Sequence, residues 1–176
     1  MKKRWDVLVD LINEHDLQIG VEVGVKSGRN IRRILNRCFN FTFYGVDPWC
    51  GTDGYAHWSD KQVSEHEREA RQVETQFRNR CRLIKDFSAS ASKQFSRQSL
   101  DLVFIDGEHT YKAVNTDIEC WLPKVRQGGI IAGHDYKNLT AWRRKGYDFS
   151  GVDAAVDEVF GDRVNVAEDH VWWVKV

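Results

Sequence analysis

The sequence predicts an α/β fold, a three-layer sandwich in which a mostly parallel sheet lies between two layers of helices. Three observations lead there. Short apolar runs of strand length alternate with longer segments whose apolar residues recur at three and four, the period of a half-buried helix. Turn residues, Gly24, Asp47-Pro48 and Gly128-Gly129, separate the units. The last two apolar runs lie close enough for an antiparallel hairpin. Strands that alternate with helices form a parallel sheet covered on both faces. At 176 residues, without a fixed-period repeat or a low-complexity linker, residues 1–176 read as a single domain.

Taken in order, residues 5–16 place Trp5, Val7, Leu8, Leu11 and Ile12 near helical spacing, and residues 19–23 form a first strand that meets Gly24. Ile31, Ile34, Leu35 and Cys38 give a helix with one buried face. Residues 41–46 make a second strand, stopped by Asp47-Pro48 because proline donates nothing to a ladder. Residues 60–79 are polar and helix-favouring, with Val63, Ala70, Val73 and Phe77 on one side. Residues 81–84 are a third strand, followed by a helix start near Ser88. Residues 100–105 are the clearest strand, interrupted only by Asp101. Tyr111, Val114, Ile118, Trp121 and Leu122 line the next helix, and Gly128-Gly129 ends it before a fifth strand at 130–132. Val152, Ala155, Val156, Val159 and Phe160 mark a last helix, and 164–166 with 171–176 form the hairpin.

Composition narrows the partners. Lys+Arg and Asp+Glu are 26 each, so no bulk field recruits nucleic acid or an anionic membrane. The basic runs Lys2-Lys3-Arg4 and Arg143-Arg144-Lys145 read as solvated surface. The apolar residues after Met1 are broken by Asp6, Asp10 and Glu14, so no signal-peptide core forms there. No run approaches the roughly 20 apolar residues of a membrane span. Cys38, Cys50, Cys81 and Cys120 are scattered without a C-x-x-C pair, which favours reduced thiols and a cytoplasmic location over a zinc site.

In parallel sheets ligands bind beyond the carboxyl ends of the strands, where the strand order reverses. The first strand runs into Glu22-Val23-Gly24-Val25-Lys26-Ser27-Gly28-Arg29-Asn30. Glycine allows a tight turn and close approach of the backbone to a ligand, and a helix N-terminus favours a negative group. A dinucleotide turn wants G-x-G-x-x-G, so that a pyrophosphate can approach the middle glycine. Lys26 stands at that place and Glu22 lies within the strand, so the turn suits a ligand without a pyrophosphate. The second strand ends at Asp47, about 20 residues on, where a carboxylate can accept both hydroxyls of a ribose. Both features also have plain readings, a turn that only packs and a turn aspartate before Pro48.

Together with three later segments the pair resembles the class I S-adenosylmethionine-dependent methyltransferases, in the branch that holds small-molecule O-methyltransferases. The first motif of that family reads acidic-x-Gly-x-x-x-Gly, and its second strand ends in an acid. Leu100-Asp101-Leu102-Val103-Phe104-Ile105-Asp106-Gly107-Glu108-His109-Thr110-Tyr111 is similar to its fourth-strand motif, and Gly128 through His134-Asp135-Tyr136 to its fifth-strand segment. Val171-Trp172-Trp173-Val174 resembles the reversed last strand of its seven-stranded, Rossmann-like sheet.

The resemblance implies S-adenosylmethionine as cofactor and a small-molecule acceptor methylated at oxygen. It places Glu22, Gly24 and Gly28 around the methionine part, with Asn30 near its carboxylate and Asp106 near its amino group. Asp47 would hold the ribose, and Asp86, Phe87 and Ser88 would border the adenine. In the catechol-type members, acids at the fourth and fifth strand ends bind a divalent metal such as Mg²⁺. Asp106 and Asp135 match those positions, although Tyr136 stands where the family has an amide. His109 matches the place of a lysine base, and a histidine is suited to proton transfer near neutrality. It is equally a helix-start residue bonded to backbone. His134 is either a metal ligand or a residue that holds Asp106. A possible homodimer would share the acceptor site between subunits.

Two alternatives stay open at this point: a metal-dependent hydrolase built from Asp106, His109, His134 and Asp135, and a module that binds the cofactor without turnover. The loop at 49–58 and the loop at 136–149, with Tyr136, Trp142, Arg143, Arg144 and Tyr147, are candidates to cover the cofactor or line the acceptor site.

Overall fold

The computed structural model describes residues 2–50, 58–138 and 150–176. The chain runs through α1 (Arg4–Glu14), β1 (Ile19–Val23), α2 (Arg29–Leu35), β2 (Thr42–Asp47), α3 (Asp60–Gln76), β3 (Cys81–Lys85) and the short α4 (Ser88–Ala91). It continues through β4 (Leu100–Ile105), α5 (Tyr111–Trp121), β5 (Val125–Gly133), α6 (Ser150–Phe160), β6 (Asn165–Val166) and β7 (Trp172–Lys175). The seven strands form one sheet in the order β3-β2-β1-β4-β5-β7-β6. The first five strands are parallel. β7 runs antiparallel to both β5 and β6. This is the Rossmann-like sandwich with a reversed last strand that the motifs predict.

Alternation along each strand divides the core into two layers. Leu102 and Phe104 pack with α1, α2 and α3 on one face, while Val103 and Ile105 pack with α5 and α6 on the other. Trp121 and Trp172, at most 1% exposed, lie in the α5–α6 layer. α3 begins with a capping box, in which Ser59 accepts from the Gln62 N–H and the Gln62 side chain returns to Ser59.

Two details differ from the sequence reading. Gly128 and Gly129 lie inside β5, where the pairing jumps from Leu100–Val125 to Leu102–Ile130. The intervening residues bulge out, and Gly128 takes a left-handed φ of +79° while its N–H donates to the Val176 carbonyl at 2.7 Å. The turn chemistry of the pair is real, but it serves a bulge instead of a strand start. Asp101, the polar break in the strongest strand, is buried. It accepts from the N–H groups of Gln18 at 2.6 Å and Ile19 at 3.0 Å and from Arg126 Nε at 2.5 Å. It therefore clips together the starts of β1, β4 and β5.

The strand order fixes where a site can form. From β1 the chain moves outward to β2 and β3, then returns to place β4 on the other side of β1. The crevice beyond the carboxyl ends of β1 and β4 is the switch point of the sheet. No helix among the described residues is long and apolar enough to cross a membrane.

Candidate active site

The turn after β1 is built against its neighbours. Gly24 has φ +92°, and a Cβ there would lie 2.3 Å from the Asp106 carbonyl oxygen. Gly28 has φ +72° as the N-cap of α2, where a Cβ would press on Ala70 and Val73. Both glycines are thus demanded by backbone shape and close packing. Lys26, in place of a middle glycine, also adopts a left-handed φ of +54°. Its N–H donates to Asp47 Oδ2 at 2.8 Å, and its carbonyl accepts from Trp49 Nε1 at 2.8 Å. The Trp49 N–H in turn donates to Asp47 Oδ1 at 2.8 Å.

Asp47 therefore ties the glycine turn to the end of β2. Burial raises its pKa, against the backbone N–H groups that stabilise the charged form. The backbone N–H groups on Asp47 are those of Val25, Lys26 and Trp49, and a carboxylate has about four acceptor sites, so three donors leave capacity for a further hydroxyl.

Glu22 is 1% exposed, on the α1–α3 face of the sheet. Asn30 Nδ2 donates to Glu22 Oε1 at 2.7 Å. Burial pushes Glu22 up to about 8, with the Asn30 hydrogen bond opposing and the Asp106 charge adding to the shift. Glu22 Oε2 and Asn30 Oδ1 are buried without a hydrogen-bond partner among the described residues. Orphaned buried oxygens are costly, and here two lie on adjoining side chains.

Beyond β4 and β5 the polar groups converge. The Asp106 N–H donates to the Val23 carbonyl at 2.8 Å, and the His134 N–H to the Ile105 carbonyl at 3.1 Å, which levels the three strand ends. Asp135, buried and left-handed at φ +62°, is the hub. Its Oδ2 lies 3.0 Å from both His109 Nε2 and His134 Nδ1, and its Oδ1 accepts from Asn138 Nδ2 at 2.8 Å. Burial would raise the Asp135 pKa, but the hydrogen bonds from the two imidazoles hold it far below the usual carboxylate range. Burial lowers that of His134, yet Asp106 and Asp135 outweigh it and leave the ring more basic than usual. The sequence motif lacks an amide directly after the second acid; Asn138 supplies one from three residues on.

Arg4 is the residue that sequence reasoning missed. It reads there as solvated surface, but its Nη1 is hydrogen-bonded to Asp106 and lies 3.4 Å from His134 Nδ1. No periodic or motif signal marks it, because the contact spans 102 positions of sequence. Asp169, also unassigned from sequence, accepts the Arg4 N–H at 2.8 Å.

At the end of β3 the predicted adenine residues separate. Phe87 is 57% exposed and offers an open aromatic face. Asp86 accepts from the Phe87 N–H and from Ser90 Oγ, both at 2.8 Å. The Ser88 hydroxyl turns inward, accepting from Trp121 Nε1 at 2.8 Å and bonding to Asp117, whose pKa burial raises to about 6. Residues 51–57 and 139–149 lie outside the described residues, and so do Trp142, Arg143, Arg144 and Tyr147.

A divalent cation can be tested against this arrangement. Asp106, His134 and Asp135 offer ligand atoms within 4.8 Å of one another, a spacing that such ions accept. The charges do not fit. Arg4 is already bonded to Asp106, and both imidazoles converge on one oxygen of Asp135. A metal would have to displace the guanidinium.

Comparison with known proteins agrees with the fold and the motif order. A family model described as a methyltransferase domain matches residues 21–136, from β1 to the turn after β5. An uncharacterized protein of Sinorhizobium fredii is 28% identical over 92 residues, which are 52% of this chain and 10% of that much longer protein. Among solved structures, the O-methyltransferase from Bacillus cereus in complex with SAH superposes with a TM-score of 0.69 at 15% identity, covering 98% of this chain and 80% of that one. The SAH-bound methyltransferase PaMTH1 of Podospora anserina gives 0.66 at 14% identity, covering 99% and 79%. A TDP-rhamnose 3′-O-methyltransferase of calicheamicin biosynthesis gives 0.63 at 15%, covering 96% and 77%. With the domain matched across the glycine turn, Asp47, Asp106 and Asp135, the chain belongs to the methyltransferase-domain family.

Proposed function

We propose that the chain transfers a methyl group from S-adenosylmethionine to an oxygen of a small-molecule acceptor. The observation that carries this reading is the buried Glu22–Asn30 pair, with two oxygens unpartnered among the described residues at the switch point, beside Asp47 at the next strand end. A sulfonium nucleoside supplies partners for these groups: ribose hydroxyls for Asp47 and an ammonium for the open Glu22 oxygen, with Asp106, already held by Arg4, nearby. Glu22, Gly24, Gly28 and Asn30 shape the methionine end. Phe87, Asp86 and the backbone at Ser88 border the adenine.

In the reaction the acceptor oxygen attacks the methyl carbon in line. A C–O bond forms, the S–C bond breaks, and neutral S-adenosylhomocysteine leaves. The acceptor's proton passes to His109, the general base. His109 Nε2 lies 3.0 Å from Asp135 Oδ2, and that carboxylate sets the ring's orientation. Asp135 orients the ring and balances its charge once protonated. The O-methyltransferases among the structural relatives support oxygen as the acceptor atom. A cytoplasmic, single-domain enzyme active as a homodimer is the form we propose for it.

Calorimetry with S-adenosylhomocysteine tests the cofactor reading. Wild type binds, and Asp47→Ala loses roughly 10–100-fold, the worth of a hydrogen bond to a charged group. Absence of binding by wild type, with Asp47→Ala indistinguishable from it, would falsify the proposal. The hydrolase alternative leaves Glu22, Gly28 and Asp47 without work.

A further inference from the structure

Helix α1 aims a cation into the strand-end cluster. Its start is held by the β6–β7 turn: Asp169 Oδ2 accepts the Arg4 N–H at 2.8 Å, Asp169 Oδ1 lies 3.6 Å from Lys3 Nζ, and Glu168 accepts the Lys2 N–H at 2.9 Å. Asp169 and His170 adopt left-handed φ of +55° and +58°, so that the turn carries the carboxylate against the helix. Thus anchored, Arg4 reaches Asp106 and His134 through one nitrogen, Nη1.

Among the described residues, the same Asp106 and His134, with Asp135, are the side chains whose donor atoms converge closely enough for a metal. A guanidinium is a permanent cation that cannot be deprotonated in a protein. It offsets the charge of Asp106 and Asp135 at the point where a divalent ion would do so, and like charges at such range repel. Nη1 accounts for both contacts, and among the described residues neither Nε nor Nη2 has a hydrogen-bond partner, so the fork keeps donors in reserve.

We propose that Arg4 is the resident cation of this site, occupying the place of a divalent metal, and that methyl transfer by this chain needs no metal. Arg4 is a positioning residue here: it acts by holding Asp106 and by excluding the ion. The first half of the proposal stands on geometry alone, and the second rests on the methyltransferase reading.

The test is a Mn²⁺ titration of the metal-free full chain followed by electron paramagnetic resonance. Wild type and Arg4→Lys are expected to leave Mn²⁺ free, whereas Arg4→Ala binds it at least about tenfold more tightly than wild type, as freed carboxylate oxygens should. The double variant Arg4→Ala/Asp106→Asn loses that binding again, which assigns it to this cluster. Arg4→Gln, closer in size, serves if the alanine variant does not fold. Mn²⁺ held by wild type as tightly as by Arg4→Ala overturns the proposal, and so does a folded Arg4 variant that gains no Mn²⁺ site. S-adenosylhomocysteine titrated into the same samples separates the two readings. Its failure to bind wild type sinks the methyltransferase reading and leaves the Mn²⁺ result to decide the place of Arg4. If it binds, methyl transfer that is abolished by chelator and restored by Mg²⁺ overturns the second half.

Discussion

Glu22 shows how one buried side chain links function to stability. Its pKa rises from the ordinary glutamate range to about 8 because burial penalises the charge. The folded chain therefore binds this proton more tightly than the unfolded chain does, and its contribution is complete below the unfolded pKa, near 4.5. That contribution is lost as pH rises through about 8. Glu22→Gln, which cannot ionise, should flatten the fall in thermal stability over that window. Melting curves from pH 5 to 9 check this, and equal slopes for the two proteins would refute it. His109 carries the chemistry, in our reading. His109→Gln should lower kcat by roughly 10²–10⁴-fold, the usual worth of a general base, and leave S-adenosylhomocysteine affinity unchanged. A parallel loss of cofactor binding would instead mean that the histidine shapes the pocket.

At the scale of elements, the connections after the strands hold the site and the starts of the strands hold the sheet. Gly24 touches the carbonyl of Asp106, so the turns after β1 and β4 are one packed unit. Gly24→Ala should cost about 2–4 kcal/mol, from a strained φ plus overpacking against backbone, and should weaken cofactor binding even below its melting temperature. At the opposite end, Asp101 satisfies the N–H groups of Gln18 and Ile19 and pairs with Arg126. Asp101→Ala leaves two backbone donors unmet, at about 2–4 kcal/mol in chemical denaturation, with cofactor affinity per folded molecule intact. The contrast between these two variants separates the end of the sheet that binds from the end that only holds. Most of this was visible in the sequence: the strand runs, the glycine turn and the acids at strand ends have local signatures. The bulge at Gly128–Gly129 was not, because a glycine pair signals a turn without saying whether the chain leaves the strand or returns to it.

At the scale of the whole molecule, our proposal couples ligand to fold through the crevice between β1 and β4. A ligand that binds only the native state stabilises it by about 2.7 kcal/mol at a hundredfold excess over Kd. For a domain of this size that corresponds to a rise in Tm of roughly 5–10 °C. Differential scanning with S-adenosylhomocysteine should show that shift, and Asp47→Ala should show little of it at the same concentration. An equal rise in both would place the ligand away from the strand ends.

The sequence by itself determined the alternation of strands and helices, the reversed last strand, and the residues at each strand end, Glu22, Asp47, Asp106 and Asp135. These are legible because period, turn chemistry and motif spacing are local properties of the chain. Tertiary structure alone decided what those residues face. It turned Ser88 inward to Trp121, brought His109 and Asn138 onto Asp135, and carried Arg4 across the molecule to Asp106. Such contacts join positions far apart in sequence through the packing of whole elements, and a cation at a helix start looks the same in sequence whether it meets water or a buried carboxylate.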